Sequence, residues 1–478
     1  MRKALGAHRR QLIRQFMIEA IVPSLLALMI AVILVPLLIP AFNVLTGRHM
    51  VLDFAQNGGF LATLLLVGLG AGILAGGFPS FSIASFHPAS MLKGPLQRGG
   101  ETTLSNMLVV VQFTVALVLM IVTIAVQQQV HYILTSNTGV DRDQIVMIEV
   151  EDRTLYDDRY AALKQALQKH PNVLAVTAAQ TNPTDIDAAS TTSEWEGSEG
   201  GRDIEVYRSI IQHGFVDLFG LELIEGRDFS AAIDSDKREG MLINETLKKQ
   251  LGWDKAVGKW FNFHGREARI TGVVKDFNFH SFRHEIAPLA LFLDSGWWFP
   301  FQRIFVKVSP DEMQETVSFL ESTMEDFSPA YPFEYSFLDD TYDKMYQSEI
   351  RLVNLLNYFT ILVLFISCLG LLGLSAFAAQ QRTKEIGMRK VLGASLMQIL
   401  VLLSKDFTRL VSIAFIISVP IAYLFQSRLL LEFAYRTPVG WSTFALVGGG
   451  ALLVAWLTIS FQTIRVARTN PIHSLRYE

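Results

Sequence analysis

Residues 352–378 read LVNLLNYFTILVLFISCLGLLGLSAFA, a run without one acidic or basic side chain, and Arg382, Lys384, Arg389 and Lys390 follow it closely. The hydrocarbon core of a bilayer is ~30 Å thick, so at ~1.5 Å per residue an uncharged helix of roughly 20 residues crosses it. Working outward, five more such runs occur at about 20–42, 59–81, 104–126, 410–425 and 441–461. The run at 410–425 is short and has Lys405, Asp406 and Arg409 directly before it. Globular domains rarely hold so many uncharged stretches, and the pattern predicts an α-helical transmembrane bundle of six helices.

Composition agrees with this reading. The chain has 478 residues, of which 50% are hydrophobic and 18% charged, and its mean hydropathy is +0.32. That length exceeds the roughly 250–300 residues at which one core stops growing, so at least two folding units are expected. A net charge of -4 supplies no cationic field for a nucleic-acid backbone, and nucleic acid is not an expected partner. Cys368 is the only cysteine, which excludes an intrachain disulfide and any multi-cysteine metal cluster.

Basic residues set the orientation, because Lys and Arg in short loops stay on the cytoplasmic side. Sixteen lie before the first run, between the second and third, between the fourth and fifth, and after the sixth; the short loops on the other side hold only Arg48, Arg428 and Arg436. Both termini are therefore expected in the cytoplasm of a multi-pass plasma-membrane protein, with residues 127–351 exported. The first apolar run is too long for a cleavable signal peptide. Gly68, Gly72 and Gly76 recur every four residues on one helix face, where small residues let helices approach closely in lipid. Ordinary bundle packing and a dedicated dimer or gating seam are both open readings of that stripe.

Between 127 and 351 the apolar pattern shortens to the lengths of a soluble α+β domain. Strands are expected at 145–150, 173–179, 204–211, 260–263, 268–274 and 304–308, and helices at 156–169, 241–251 and 310–327, with Pro310 in a first turn. The first three elements read as a βαβ opening, and the Thr-, Ser-, Asp- and Gly-rich stretch 182–202 as a mobile loop. Little catalytic chemistry is legible. Residues 252–259 have the wrong glycine spacing for a phosphate loop, and Trp260 follows the lysine where Ser or Thr should hold magnesium. His280 and His284, with His264, read as surface histidines before they read as metal ligands. Asp339, Asp340, Asp343 and Glu349 lack the glycine and spacing of a calcium loop and read as a solvated helix face.

The strongest signal is an internal repeat. Met1-Arg2-Lys3-Ala4-Leu5-Gly6-Ala7 matches Met388-Arg389-Lys390-Val391-Leu392-Gly393-Ala394 at an offset of 387, with one conservative difference in seven. Two apolar runs follow each copy, then a proline-containing exit at 87–93 and 470–476. Each basic segment leads into an amphipathic stretch, 11–17 and 396–403, suited to lie in the membrane interface with its polar side toward a cytosolic partner or toward anionic lipid.

The segment Arg382-Thr383-Lys384-Glu385-Ile386-Gly387-Met388-Arg389-Lys390-Val391-Leu392-Gly393-Ala394-Ser395 resembles the FtsX-like permeases of ABC transporters. The exported stretch is similar to their MacB-like periplasmic core domain, including Gly272-Val273-Val274-Lys275-Asp276-Phe277 and Pro332-Phe333-Glu334-Tyr335. The resemblance implies a partial first permease half at 1–103, a helix opening the second half at 104–126, the core domain at 127–351 and the rest of that half at 352–478. By that layout the chain starts at the equivalent of Met388, and the expectation is a fragment or a late-assigned start codon.

The resemblance also implies a separate cytosolic ABC ATPase that binds ATP, so that no cofactor or catalytic residue is expected on this chain. ATPase docking and coupling fall to Glu385, Gly387, Arg389, Lys390 and Gly393, together with Arg2, Lys3 and Gly6. A membrane-fusion adaptor or an exported hydrolase is the further partner it implies, in a dimeric or tandem assembly within the lipid bilayer. Three function classes follow: export of a drug, peptide, lipid or lipoprotein; ATP-driven control of a cell-wall hydrolase; and a membrane sensor, which a neighbouring ATPase gene would disfavour.

Overall fold

The computed structural model describes residues 9–51, 58–85, 99–156, 158–198, 203–263, 266–293, 301–382, 385, 388–389, 392–431, 433–437 and 440–467. The exits at 87–93 and 470–476, with Arg2, Lys3, Gly6, His264, Gly387 and Lys390, lie outside them. The chain divides into two compact units: Met1–Val126 with Arg351–Gln426 and Val439–Glu478, and Gln127–Ile350 with Ser427–Pro438.

The first unit is helical. Its helices are α1 (Arg9–Thr46), α2 (Gly58–Ser85), the first part of α3 (Gly99–Thr135), most of α10 (Gln347–Gln381), most of α11 (Leu396–Leu430) and α12 (Trp441–Ala467). All six contain a segment long and apolar enough to cross a membrane. An apolar core joins four of them, with Phe113, Leu117 and Ile121 of α3 against Leu371 of α10, Val411 of α11 and Ala451 of α12. A buried hydrogen bond of 2.9 Å between the Thr123 and Thr360 hydroxyls adds a polar tie between α3 and α10.

Helices α1 and α2 pack on each other through the glycine stripe. A Cβ added at Gly68 would stand 2.8 Å from Leu28 Cδ2, at Gly72 2.9 Å from the Ile21 Cα, and at Gly76 2.7 Å from Ala20 Cβ. The close approach also lets the Ser24 hydroxyl donate to the Gly68 carbonyl at 2.7 Å.

Two expectations about helix ends need correction. The amphipathic stretches 11–17 and 396–403 are the opening turns of α1 and α11, not separate interfacial helices. Lys405, Asp406 and Arg409 consequently lie within α11 rather than before it. No glycine interrupts α11, and its one proline, Pro420, comes late, so nothing breaks the helix between its first turn and the apolar run.

The second unit is an α+β domain on one 11-stranded sheet. Its strands are β1 (Ile145–Glu149), β2 (Val173–Ala179), β3 (Ala189–Thr192), β4 (Ile204–Ile211), β5 (Leu223–Gly226), β6 (Gly240–Asn244), β7 (Trp260–Phe263), β8 (Arg266–Val274), β9 (Leu289–Leu293), β10 (Arg303–Val308) and β11 (Tyr335–Phe337). They run in the order β11-β1-β10-β2-β4-β9-β6-β8-β5, with β3 on β4 and β7 on β8. Among the described strands, only β4·β9 and β6·β8 pair in parallel. Helices α4 (Asp158–Leu167), α5 (Phe215–Leu218), α6 (Asp234–Glu239), α7 (Glu245–Gln250), α8 (Met313–Phe327) and α9 (Leu338–Met345) complete it.

Strand β1 is apolar at consecutive positions because both faces of the sheet are covered. Val146 and Ile148 join the core made with Leu163 of α4 and Leu320 of α8, while Ile145 and Met147 join the opposite core around Phe219 and Phe305. The expected βαβ opening is split: β10 lies between β1 and β2, antiparallel to both.

Three further readings are corrected. The segment read as one helix at 241–251 is strand β6 followed by α7. Asn244 ends the strand and caps the helix, accepting from the Leu247 amide at 2.9 Å. Pro310 precedes α8, which starts at Met313 after Glu312 adopts a left-handed φ of 53°. The stretch 182–202 is largely ordered in its described part. Strand β3 lies in it, and Trp195, buried, bridges to Phe261.

Candidate coupling segment

The segment from Arg382 to Gln398 turns the chain from α10 into α11, and its residues carry the local signals for that turn. Helical structure includes Glu385, Met388 and Arg389. The Glu385 Oε1 and Arg389 Nη2 atoms stand 2.9 Å apart as an i,i+4 pair, with both side chains close to half exposed. Gly393 then takes a left-handed φ of +87°. The Ala394 amide donates to the Arg389 carbonyl at 2.9 Å and the Leu392 amide to that of Met388 at 3.0 Å. A bond that reaches back five residues across a left-handed glycine is the Schellman stop, which satisfies carbonyls at a helix end and needs a residue without a Cβ penalty.

The next helix begins at once. The Gln398 amide donates to the Ser395 hydroxyl at 3.3 Å, and the Ser395 amide to Gln398 Oε1 at 3.0 Å, a reciprocal capping box at the start of α11. Arg382 Nη2 and Asp406 Oδ2, 2.9 Å apart, fasten the end of α10 to α11. Apolar side chains face outward on this turn: Met388 is 56%, Leu392 85% and Met397 68% exposed. That patch, interleaved with Arg389, escaped the sequence reading. Its signal was present in Met388 and Leu392, four apart in an otherwise basic stretch.

Of the residues expected to couple, the structure thus brings Glu385, Arg389 and Gly393 into one turn. Gly68, Gly72 and Gly76 lie elsewhere, between α1 and α2.

A second constellation lies within the α+β unit, which takes in residues 427–438. Gln129 of α3, buried, donates through Nε2 to the Tyr435 carbonyl at 2.7 Å and accepts the Thr437 amide at 2.9 Å. The Ala434 amide donates to the Phe282 carbonyl at 3.2 Å, and the Phe282 amide to the Tyr346 hydroxyl at 3.1 Å. Arg142 stands 3.8 Å over the Tyr342 ring, and burial pushes the Tyr342 and Tyr346 phenols up. Arg283 pairs with Glu349. Glu349 therefore belongs to a buried network instead of a solvated face, while Asp339, Asp340 and Asp343 lie on α9.

Comparison with known proteins agrees with both parts. The family description FtsX-like permease C-terminal matches residues 1–88 and 357–471, which contain the two copies of the repeat. The MacB-like periplasmic core domain matches residues 104–320. The uncharacterized ABC transporter permease YknZ of Bacillus subtilis (strain 168) is 22% identical over 290 residues, 56% of this chain and 69% of that protein. Among solved structures, the periplasmic region of MacB from Actinobacillus actinomycetemcomitans is 17% identical with a TM-score of 0.31, covering 44% of this chain and 97% of that one. The extracellular domain of the noncanonic ABC-type transporter YknZ from Gram-positive bacteria is 14% identical with a TM-score of 0.30, covering 40% of this chain and 98% of that one. With its six membrane helices and its periplasmic domain on the plasma membrane, the chain belongs to the FtsX-like permeases of ABC transporters that carry a MacB-like core domain, the membrane subunit and not the ATPase.

Proposed function

We propose that this permease transmits the ATP-driven closure of a separate cytosolic ATPase dimer, through its helices, to movement of the exported domain. Both termini and the 382–398 turn then face the cytoplasm. The observation that carries the reading is that turn, with Met388 and Leu392 exposed beside the Glu385–Arg389 pair just before the stop at Gly393. An exposed apolar patch beside charged side chains has the composition of a docking surface. Transmission is supported by chain connectivity, because the boundaries between the units at 126/127, 350/351 and 426/427 fall inside α3, α10 and α11. Helices with so few charges suit mechanical transmission better than a polar path.

Export of a drug, peptide, lipid or lipoprotein is the primary reading, and control of a cell-wall hydrolase is the alternative with the same mechanics. Co-purification from native membranes separates them, an adaptor indicating efflux and a hydrolase indicating regulation. The coupling test is the double variant Glu385→Ala, Arg389→Ala. It should lower permease-stimulated ATP turnover by about tenfold, the equivalent of losing one interfacial charged contact, with membrane insertion intact. Unchanged stimulation would sink the assignment.

A further inference from the structure

A cleft of about 520 Å³ opens between the α3, α10 and α11 helices of the membrane unit. Its volume lies in the range, roughly 300–1,000 Å³, of cavities that hold small molecules. The walls are hydrocarbon, from Leu374 and Phe377 of α10 and Phe407, Leu410 and Ile413 of α11. The polar lining comprises Arg382, Asp406 and Arg409 with the uncharged Ser105, Asn106 and Gln381. Asp406 is already paired to Arg382 at 2.9 Å. Arg409 is exposed and forms no ion pair among the described residues, so the lining carries one uncompensated positive charge.

An apolar slot between membrane helices with an unpaired guanidinium beside it matches an amphiphile with an acyl chain and an anionic head. We propose that the cleft binds an anionic phospholipid from the surrounding leaflet, its chain between α10 and α11 and its phosphate on Arg409. Basic pockets between transmembrane helices on the cytoplasmic side bind anionic head groups for this physical reason. A neutral lipid would gain the wall contacts and leave the guanidinium unanswered. A free phosphate would gain the charge contact alone.

Native mass spectrometry of the full chain with added phosphatidylglycerol or phosphatidylcholine tests the assignment. Wild type should retain phosphatidylglycerol in preference. Arg409→Gln should reduce that retention about fivefold, the effect of one basic side chain near a lipid head group. Lys405→Gln, on the same helix but outside the cleft lining, should not reduce it. Ala378 of α10 also lines the cleft, and Ala378→Trp, which fills it, should remove the bound lipid while leaving Arg409 in place.

Equal retention of the two lipids would overturn the proposal, as would equal loss in Arg409→Gln and Lys405→Gln. Undiminished retention in Ala378→Trp, or equal displacement by inorganic phosphate in wild type and that variant, would mark a head-group-only anion site and also overturn it. Thermal unfolding of the wild-type protein with each lipid is a second readout free of any variant. Phosphatidylglycerol should raise the midpoint above that with phosphatidylcholine, and no difference would count against the site.

Discussion

A single torsion shapes the turn between α10 and α11. Gly393 at φ +87° is the point where the helix holding Arg389 stops, and any L side chain there meets the left-handed penalty of roughly 1–2 kcal/mol. Gly393→Ala is expected to open the Leu392 and Ala394 amide bonds, with hydrogen exchange at those two positions faster by about tenfold. The Glu385–Arg389 pair has the opposite character. Half exposed, it contributes at most about 0.5 kcal/mol to the helix, so its loss should be felt in coupling and hardly in stability.

In the α+β domain the residue with the clearest pH consequence is buried Asp236. Arg227 contacts it twice, Nη1 to Oδ2 at 2.6 Å and Nη2 to Oδ1 at 2.8 Å, and the Ser230 amide adds a bond at 2.9 Å. The hydrogen bond from Arg227 is the main cause that holds this carboxyl below its usual range. A carboxyl depressed on folding stabilises the fold above its unfolded value near pH ~4, and that contribution disappears as pH falls through the lower folded value. Thermal midpoints of the wild type should therefore drop as pH falls below about 4, whereas Asp236→Asn should lack that component. At neutral pH the variant should be less stable by about 1.5 kcal/mol, the low end for a charged hydrogen bond, because Arg227 is 45% exposed.

At the scale of elements, the α1–α2 hairpin depends on backbone proximity. A side chain at Gly72 would meet the Ile21 main chain, which cannot rotate away, whereas Gly70 faces open space. Gly72→Leu should destabilise the detergent-solubilised protein by about 1–3 kcal/mol, and Gly70→Leu should change it little; paired thermal melts check the contrast. Periodicity read the strand β2 and the C-terminal end of α8 closely because each is bounded by its own turn residues. It misread 241–251, since the N-cap Asn244 was passed over inside an apolar run, and the pairing of β6 with β8 and β9 shows that the first half is a strand. Arg389 and Gly393 were legible through the repeat and Glu385 through the family resemblance, whereas the outward Met388 and Leu392 required knowing which face of the turn was left uncovered.

On the scale of the whole molecule, the segment 427–438 is the least expected component. It comes from the end of α11 and its connection to α12, yet it is built into the α+β unit through Gln129. Replacing Gln129 by Leu leaves the Thr437 amide and Tyr435 carbonyl without this partner, at a cost of about 1–3 kcal/mol. Hydrogen exchange across 433–437 should accelerate in Gln129→Leu while the central strands β4 and β9 keep their protection. Uniform acceleration would instead mean that the whole domain had been loosened.

The amino-acid sequence by itself determined the six membrane helices, the presence of an α+β insertion and the site of the basic turn, because run length, side-chain period and an exact spacing between two copies are properties of neighbours along the chain. Only the tertiary structure decided that β10 lies between β1 and β2, that the glycine stripe is spent on α1, and that residues 427–438 fold with the exported domain. These depend on pairs of residues far apart in the chain, such as Gln129 with Thr437, whose hydrogen bond leaves no local pattern in either segment.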